Sequence, residues 1–175
     1  MGRGRFYKIW SSEVIKTLLL MAMVVLGVLL FRWGLSVALR TDYPLHTPIS
    51  SSMEPTLNIG DLLIVEGVVK GEEINADPVN GDIIVFRKPT SLGEFIVHRA
   101  IQKMWNPIEG KYYFKTKGDN NSQPDSERVQ EDYIVGRVLW RIPFLGYIKI
   151  FLGTPVGIIA TIALFVALIL LERGK

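Results

Sequence analysis

Apolar residues fall into two regimes along this chain: long, nearly uncharged runs at the ends and runs of three or four residues in the middle. From Val14 to Leu39 only Lys16 and Arg32 carry charge, and Thr17 to Phe31 is almost unbroken Leu, Val, Met and Ala. From Ile150 to Leu171 there is no charge at all. At a rise of ~1.5 Å per residue, both runs are long enough to cross a hydrocarbon core of ~30 Å. The pattern predicts two transmembrane helices, over 13–39 and 150–171.

Between Arg40 and Pro143 the apolar runs shorten and are separated by Gly, Pro, Asn and Asp. Leu62-Leu63-Ile64-Val65, Ile83-Ile84-Val85-Phe86, Phe95-Ile96-Val97, Tyr112-Tyr113-Phe114 and Tyr133-Ile134-Val135 are β-branched and aromatic, each of strand length. Gly60-Asp61 and Asn80-Gly81-Asp82 are turn signals ahead of two of them, and Leu92-Gly93-Glu94 is a turn before a third. The segment 70–80 reads as a solvated loop. The expected architecture is mainly β: a small β domain over 40–149, flanked by N- and C-terminal transmembrane helices, with a basic N-terminus (1–12) and a short tail (172–175).

Charge orients this arrangement. Arg3, Arg5 and Lys8 precede the first span, which by the positive-inside rule holds the N-terminus in the cytoplasm and the β domain outside. Arg137, Arg141 and Lys149, on the outer side of the second span, run against that assignment. Trp10, Trp33, Trp140 and Tyr147 lie where interfacial aromatics anchor a span. An alternative for the first segment is a cleaved signal peptide, with small residues in Ser36-Val37-Ala38, although its apolar run exceeds the ~7–15 residues usual for such a region. The net charge is only +3 and no basic stripe is interleaved with aromatics, so no nucleic-acid partner is expected. With no cysteine, disulfides, thiol nucleophiles and cysteine-ligated metals are excluded.

Candidate chemistry lies in three places. Ser50, Ser51 and Ser52 lie within Ser50-Ser51-Ser52-Met53-Glu54-Pro55-Thr56, and 11 residues (41–51) separate Arg40 from Ser52, a tether of at most about 40 Å. A serine becomes a nucleophile when a base takes its proton and a donor stabilises the oxyanion. The chain has two histidines. His98 is on a predicted strand, on the face shared with Ile96 and Ala100, whereas His46, in Pro44-Leu45-His46-Thr47-Pro48, reads as a solvated linker residue. A base of this kind takes a carboxylate partner, and the polar loop from Lys115 to Asp125 supplies Asp119 and Asp125. The same loop compares poorly with a calcium loop: its sixth position is Pro124 and its twelfth Gln130. Asn120-Asn121-Ser122 is also a glycosylation sequon.

Taken in order, a membrane segment, Ser-x-Ser-Met-x-Pro, Gly-Asp before a strand, His98-Arg99 within a strand and Gly118-Asp119-Asn120-Asn121 followed by Asp125, the chain resembles type I signal peptidase, in its archaeal and endoplasmic-reticulum branch. The resemblance runs from about Ser50 to Gly136. It implies a signal-peptidase-like β domain and a membrane serine endopeptidase that removes signal peptides from exported precursors, with Ser52 as nucleophile and His98 as general base where bacterial relatives carry lysine. It implies Asp125 as the carboxylate that orients His98, with Asp119 auxiliary or in its place, and Ser50 with the Ser52 backbone N–H as the oxyanion hole. No metal or cofactor is implied. The implied partners are signal-peptide-bearing precursors with small residues one and three before the cut, the lipid bilayer, and the protein translocation channel. The implied location is a cell membrane or one of endoplasmic-reticulum type. Met53, with Ile83 or Val97, is a candidate for lining the shallow substrate pockets. Two other readings compete: a catalytically silent membrane-anchored β-domain subunit, and a Ser–Lys self-cleaving regulator with Lys103 or Lys88 as base.

Overall fold

The computed structural model describes residues 12–67, 70–88 and 93–173. Arg3, Arg5, Lys8, Trp10, Leu92 and Lys175 lie outside the described residues. The first apolar run forms one continuous helix, α1 (Ser12–Ala38), and the stretch Ile15–Ala38 is long and apolar enough to cross a membrane. Its apolar side chains are not covered: Leu18 to Leu20, Met23 to Leu26 and Val28 to Phe31 all stay exposed. Its C-terminal end is tied to the domain that follows. The Leu39 carbonyl accepts the Gly67 N–H at 2.7 Å, and Arg40 pairs with Glu66 at 2.9 Å.

The middle is one antiparallel sheet of seven strands, β1 (Leu45–His46), β2 (Leu62–Glu66), β3 (Ile83–Arg87), β4 (Phe95–Asn106), β5 (Lys111–Lys117), β6 (Arg128–Gln130) and β7 (Ile134–Ile142). Their spatial order is β1-β2-β7-β3-β4-β5-β6, so the last strand returns between the second and third. Each of the five expected apolar runs lies in or against a strand, and β4 and β7 extend well past the apolar run that seeded them. Tyr133 ends a short 3₁₀ turn (Glu131–Tyr133) rather than opening β7. β1 and β6 were not expected; they are two and three residues long, below the length at which alternation is legible.

Alternation builds a core on each face of the sheet. Ile84, Phe86, Ala100, Phe114 and Val129 pack with Ile74 on one face, and Leu63, Val65 and Val85 pack with Met53 and Leu57 on the other. Met53 and Leu57 are 1 % and 3 % exposed, so the serine segment is fastened to the second core by its own apolar side chains. Met53 is thus part of this core, and Ile83 and Val97 are partly buried against the same cluster. Its unbranched side chain next to Ser52 is what anchors the turn.

His46 is no solvated linker histidine. In β1 its ring meets Phe95 edge-on at 5.2 Å and Tyr43 at 6.2 Å, and its Nε2 is buried with no partner among the described residues. Burial first, and then the nearby Lys149 ammonium, push its pKa down to about 4.

The C-terminal run departs from the single span expected over 150–171. It divides into α2 (Gly146–Leu152) and α3 (Pro155–Arg173), and the axes of Gly146–Leu152 and Pro155–Ala167 meet at 85°. Pro155 has no N–H to continue α2 and occupies the first position of α3, where proline is tolerated. Thr154 caps the new helix: its Oγ1 accepts the Gly157 N–H at 3.0 Å and donates to the Phe151 carbonyl at 2.7 Å. Among the described residues, α1 alone is long and apolar enough to cross a membrane by itself; the C-terminal pair meets that test only when its two helices are taken together.

Candidate active site

Ser52 sits in a tight turn between β1 and β2. The Glu54 N–H reaches back to the Ser51 carbonyl at 3.1 Å and the Leu57 N–H to the Met53 carbonyl at 2.9 Å. With Met53 and Leu57 buried beneath it, the turn presents Ser50 and Ser52 outward. Their hydroxyl oxygens are 3.2 Å apart.

His98 is the fourth residue of β4, paired with Ile84 of β3, and only 8 % exposed. The alternation that buries Ala100 also turns His98 inward, under the serine turn. Its Nε2 is 3.1 Å from Ser52 Oγ and its Nδ1 is 2.7 Å from Asp125 Oδ2. With Nδ1 protonated and donating to Asp125, Nε2 has its lone pair directed at the serine hydroxyl.

Asp125 reaches this position from the loop after β5. Its backbone N–H donates to the Thr116 carbonyl at 2.9 Å, and its Oδ2 accepts the Thr116 hydroxyl at 2.6 Å. Burial raises the Asp125 carboxyl's pKa, but hydrogen bonds from His98 and Thr116 outweigh it and hold the carboxyl below the usual carboxylate range. Thr116 was missed in the sequence. The available signal was a hydroxyl two positions past Phe114 on the inward face of a strand, a site otherwise taken by apolar side chains. Thr116 is fully buried and pairs with Ala100, two residues from His98.

Asp119 does not touch the imidazole. Both its oxygens accept from Arg99, at 2.9 Å from Nε and 2.7 Å from Nη2, and Arg99 Nη1 donates to the Gly81 carbonyl at 2.7 Å. Burial opposes ionisation of Asp119, yet Arg99 and a hydrogen bond from Thr56 hold its pKa low; Asp119 in turn raises that of Arg99. Arg99 follows His98 and points to the other face of β4, so adjacent residues of one strand engage the two ends of one loop. Gly118 makes the close approach possible, since a Cβ there would meet the Ser52 carbonyl oxygen at 2.6 Å. The two lysines considered as alternative bases are engaged elsewhere: Lys103 donates to the Glu72 and Ile74 carbonyls and Lys88 pairs with Glu94.

The arrangement places a hydroxyl, an imidazole and a carboxylate in hydrogen-bonded series, which can support nucleophilic acyl transfer. Comparison with known proteins points the same way. The chain is 31 % identical over 179 residues to the signal peptidase complex catalytic subunit SEC11C of Rattus norvegicus, spanning 97 % of this chain and 89 % of the relative. It is 34 % identical over 148 residues to the SEC11 subunit of Pyricularia oryzae, spanning 78 % and 80 %. The SEC11 subunit of Tuber melanosporum is 28 % identical over 167 residues, 87 % of each chain. A family model described as signal peptidase, peptidase S26, matches residues 12–116, a stretch that includes Ser52 and His98 and ends before Asp119 and Asp125. With that match covering more than half its length, the chain belongs to the signal peptidase family, peptidase S26.

Proposed function

We propose that this protein cleaves signal peptides from precursor proteins as a serine endopeptidase in which Ser52, His98 and Asp125 act as a triad. Membership of the signal peptidase family carries the activity, and the unbroken series from Ser52 Oγ through His98 to Asp125, at 3.1 and 2.7 Å, is the observation that supports the assignment of roles. Ser52 Oγ attacks the scissile carbonyl carbon as its proton passes to His98 Nε2. Asp125, ionised across the working pH range, stabilises the imidazolium through Nδ1–H. The oxyanion is received by the Ser52 N–H and the Ser50 hydroxyl. Collapse of the tetrahedral species expels the new amine, which takes the proton from Nε2, and a water deprotonated by the same nitrogen then releases the acyl group from Ser52. Asp119 serves the site indirectly, by fastening its loop to Arg99.

The domain division at 40–149 and two spans, 13–39 and a second that the 150–171 run supplies through α3, complete the reading. The 85° break supports α2 at the outer surface and α3 as the crossing segment; 19 residues span about 28 Å, the short end of what a bilayer needs. The outer basic residues have partners in the β domain, Arg137 with Glu66 and Arg141 with Asp61.

Purified full-length chain in detergent, given a precursor with an Ala-x-Ala site, tests the chemistry. Ser52→Ala and His98→Ala are expected to lose about 10⁴-fold or more in kcat, with Asp125→Ala reduced by about 10³–10⁴. Wild-type cleavage by Ser52→Ala ends the reading, and full activity of Asp125→Ala with loss in Asp119→Ala reverses the carboxylates.

A further inference from the structure

The loop that delivers Asp125 touches the nucleophile segment through one further side chain, Asn120. Asn120 Nδ2 donates to the Ser51 carbonyl at 3.1 Å, and the Asn120 backbone N–H donates to the Ser52 carbonyl at 2.9 Å. Two successive carbonyls of the serine turn are therefore held by one residue. Within a planar trans peptide the C=O and the N–H point in opposite directions. Fixing the Ser51 carbonyl toward Asn120 consequently fixes the Ser52 N–H away from it, because both groups belong to the same peptide unit. That N–H has no acceptor among the described residues, although the turn around it is otherwise bonded. A preorganised donor with no partner at rest is what an oxyanion hole requires.

Resting on the assignment of Ser52 as nucleophile, we infer that Asn120 is a positioning residue for the oxyanion hole: its side-chain amide sets the direction of the Ser52 N–H. The Glu54 N–H occupies the other lone pair of the Ser51 carbonyl and comes from within the turn itself, so it moves with the turn. Asn120 is the contact that references the peptide plane to the loop carrying Asp125. Charge development on the substrate oxygen would meet a donor aligned relative to the His98–Asp125 pair rather than to the turn alone. Because the amide contact is exposed, losing it should cost folding little, and its effect belongs to the transition state.

The test compares Asn120→Ala and Asn120→Asp with wild type and with Ser52→Ala, in full-length protein. Two ligands are used: a peptide aldehyde ending in Ala-x-Ala, which forms a tetrahedral adduct with a serine, and the matching peptidyl alcohol, which cannot. The expected result is a kcat lowered about 10- to 100-fold with KM within threefold, and aldehyde affinity weakened by a similar factor while alcohol affinity holds. The acid limb of the pH–rate profile should stay in place, since His98 and Asp125 are untouched. Asn120→Asp, which replaces a donor by a carboxylate facing a carbonyl, should be the more impaired. Asn120→Ser keeps a turn-forming side chain and the backbone contact, and takes the place of Ala if that variant does not fold. Unchanged kcat, or equal weakening of aldehyde and alcohol, overturns the inference while an inactive Ser52→Ala leaves the reading of the nucleophile standing. An active Ser52→Ala removes both.

Discussion

At the scale of single residues, the site depends on how much of each polar group's hydrogen-bonding capacity is already used. Asp125 Oδ2 accepts from both His98 and Thr116, so the carboxylate is fixed on two sides before substrate arrives. Thr116→Val removes one of these donors and leaves an oxygen of a partly buried carboxylate with a single partner. The expected result is a kcat about tenfold lower with KM within twofold, recovered by Thr116→Ser, as steady-state cleavage of a precursor would measure. Equal activity of Thr116→Val and wild type would assign Thr116 to packing alone. Met53 acts differently. Its side chain is 1 % exposed, and Met53→Ala should cost about 2–5 kcal/mol by opening a cavity directly beneath the serine turn, read as a lower melting temperature with activity lost in parallel.

At the scale of elements, β4 organises the site by sending adjacent residues to opposite faces. His98 goes to the face shared with Ala100 and contacts the far end of the loop, Asp125, while Arg99 goes to the opposite face and grips the near end, Asp119. A bulge where the β4–β5 register shifts between Ala100 and Gln102 lies just past this pair and leaves the Ala100–Thr116 pairing intact on the site side. Arg99 and Asp119 are 13 % and 17 % exposed, so removing one partner strands a charge that is largely out of water. Asp119→Asn should destabilise the protein by about 2–3 kcal/mol and lower activity through loss of loop order. Arg99→Lys should behave similarly, since an ammonium cannot make the two parallel bonds. Melting temperatures and kcat for both variants check this, and an Asp119→Asn protein that is fully stable but inactive would move Asp119 into the chemistry.

Over the whole molecule, several groups ionise differently folded and unfolded, which links stability to pH. The pKa of His46 is about 4 when folded and near 6.5 when free, so between those values the unfolded chain holds the extra proton. Stability from this group is complete above about 6.5 and falls as pH drops toward 4, with a slope of up to about 1.4 kcal/mol per pH unit. Asp61, Asp119 and Asp125, whose desolvation is outweighed by their hydrogen-bonding partners, and Glu66, held by Arg40 and Arg137, all have carboxyls lowered below the free value. They are fully stabilising above the ordinary carboxylate range and lose that contribution as pH falls through it. Thermal melts should show a plateau above pH 6.5, a decline to pH 4 and a steeper decline below; His46→Leu should flatten the first decline and leave the second. The absence of cysteine allows single-cysteine labelling to test the topology. With two spans, a cysteine at 109 reacts from outside and one at 175 only after permeabilisation.

Much of this was legible in the chain because it is local. Membrane-length apolar runs, strand-length β-branched runs and the face on which His98 lies follow from period and composition, which depend only on neighbours in sequence. Apolar composition read the C-terminal run as one span, and although Pro155 permits a break, nothing local set its 85° angle. What tertiary structure decided are relations between distant segments. Two aspartates six positions apart on one loop were equivalent by residue type; strand pairing placed Asp125 beside Thr116 and His98, and Arg99 drew Asp119 to the other face. Met53 and His46 are buried for the same reason, since their surroundings are contributed by strands far along the chain. Residue type specified which groups could react; the sheet's long-range register decided which of them meet.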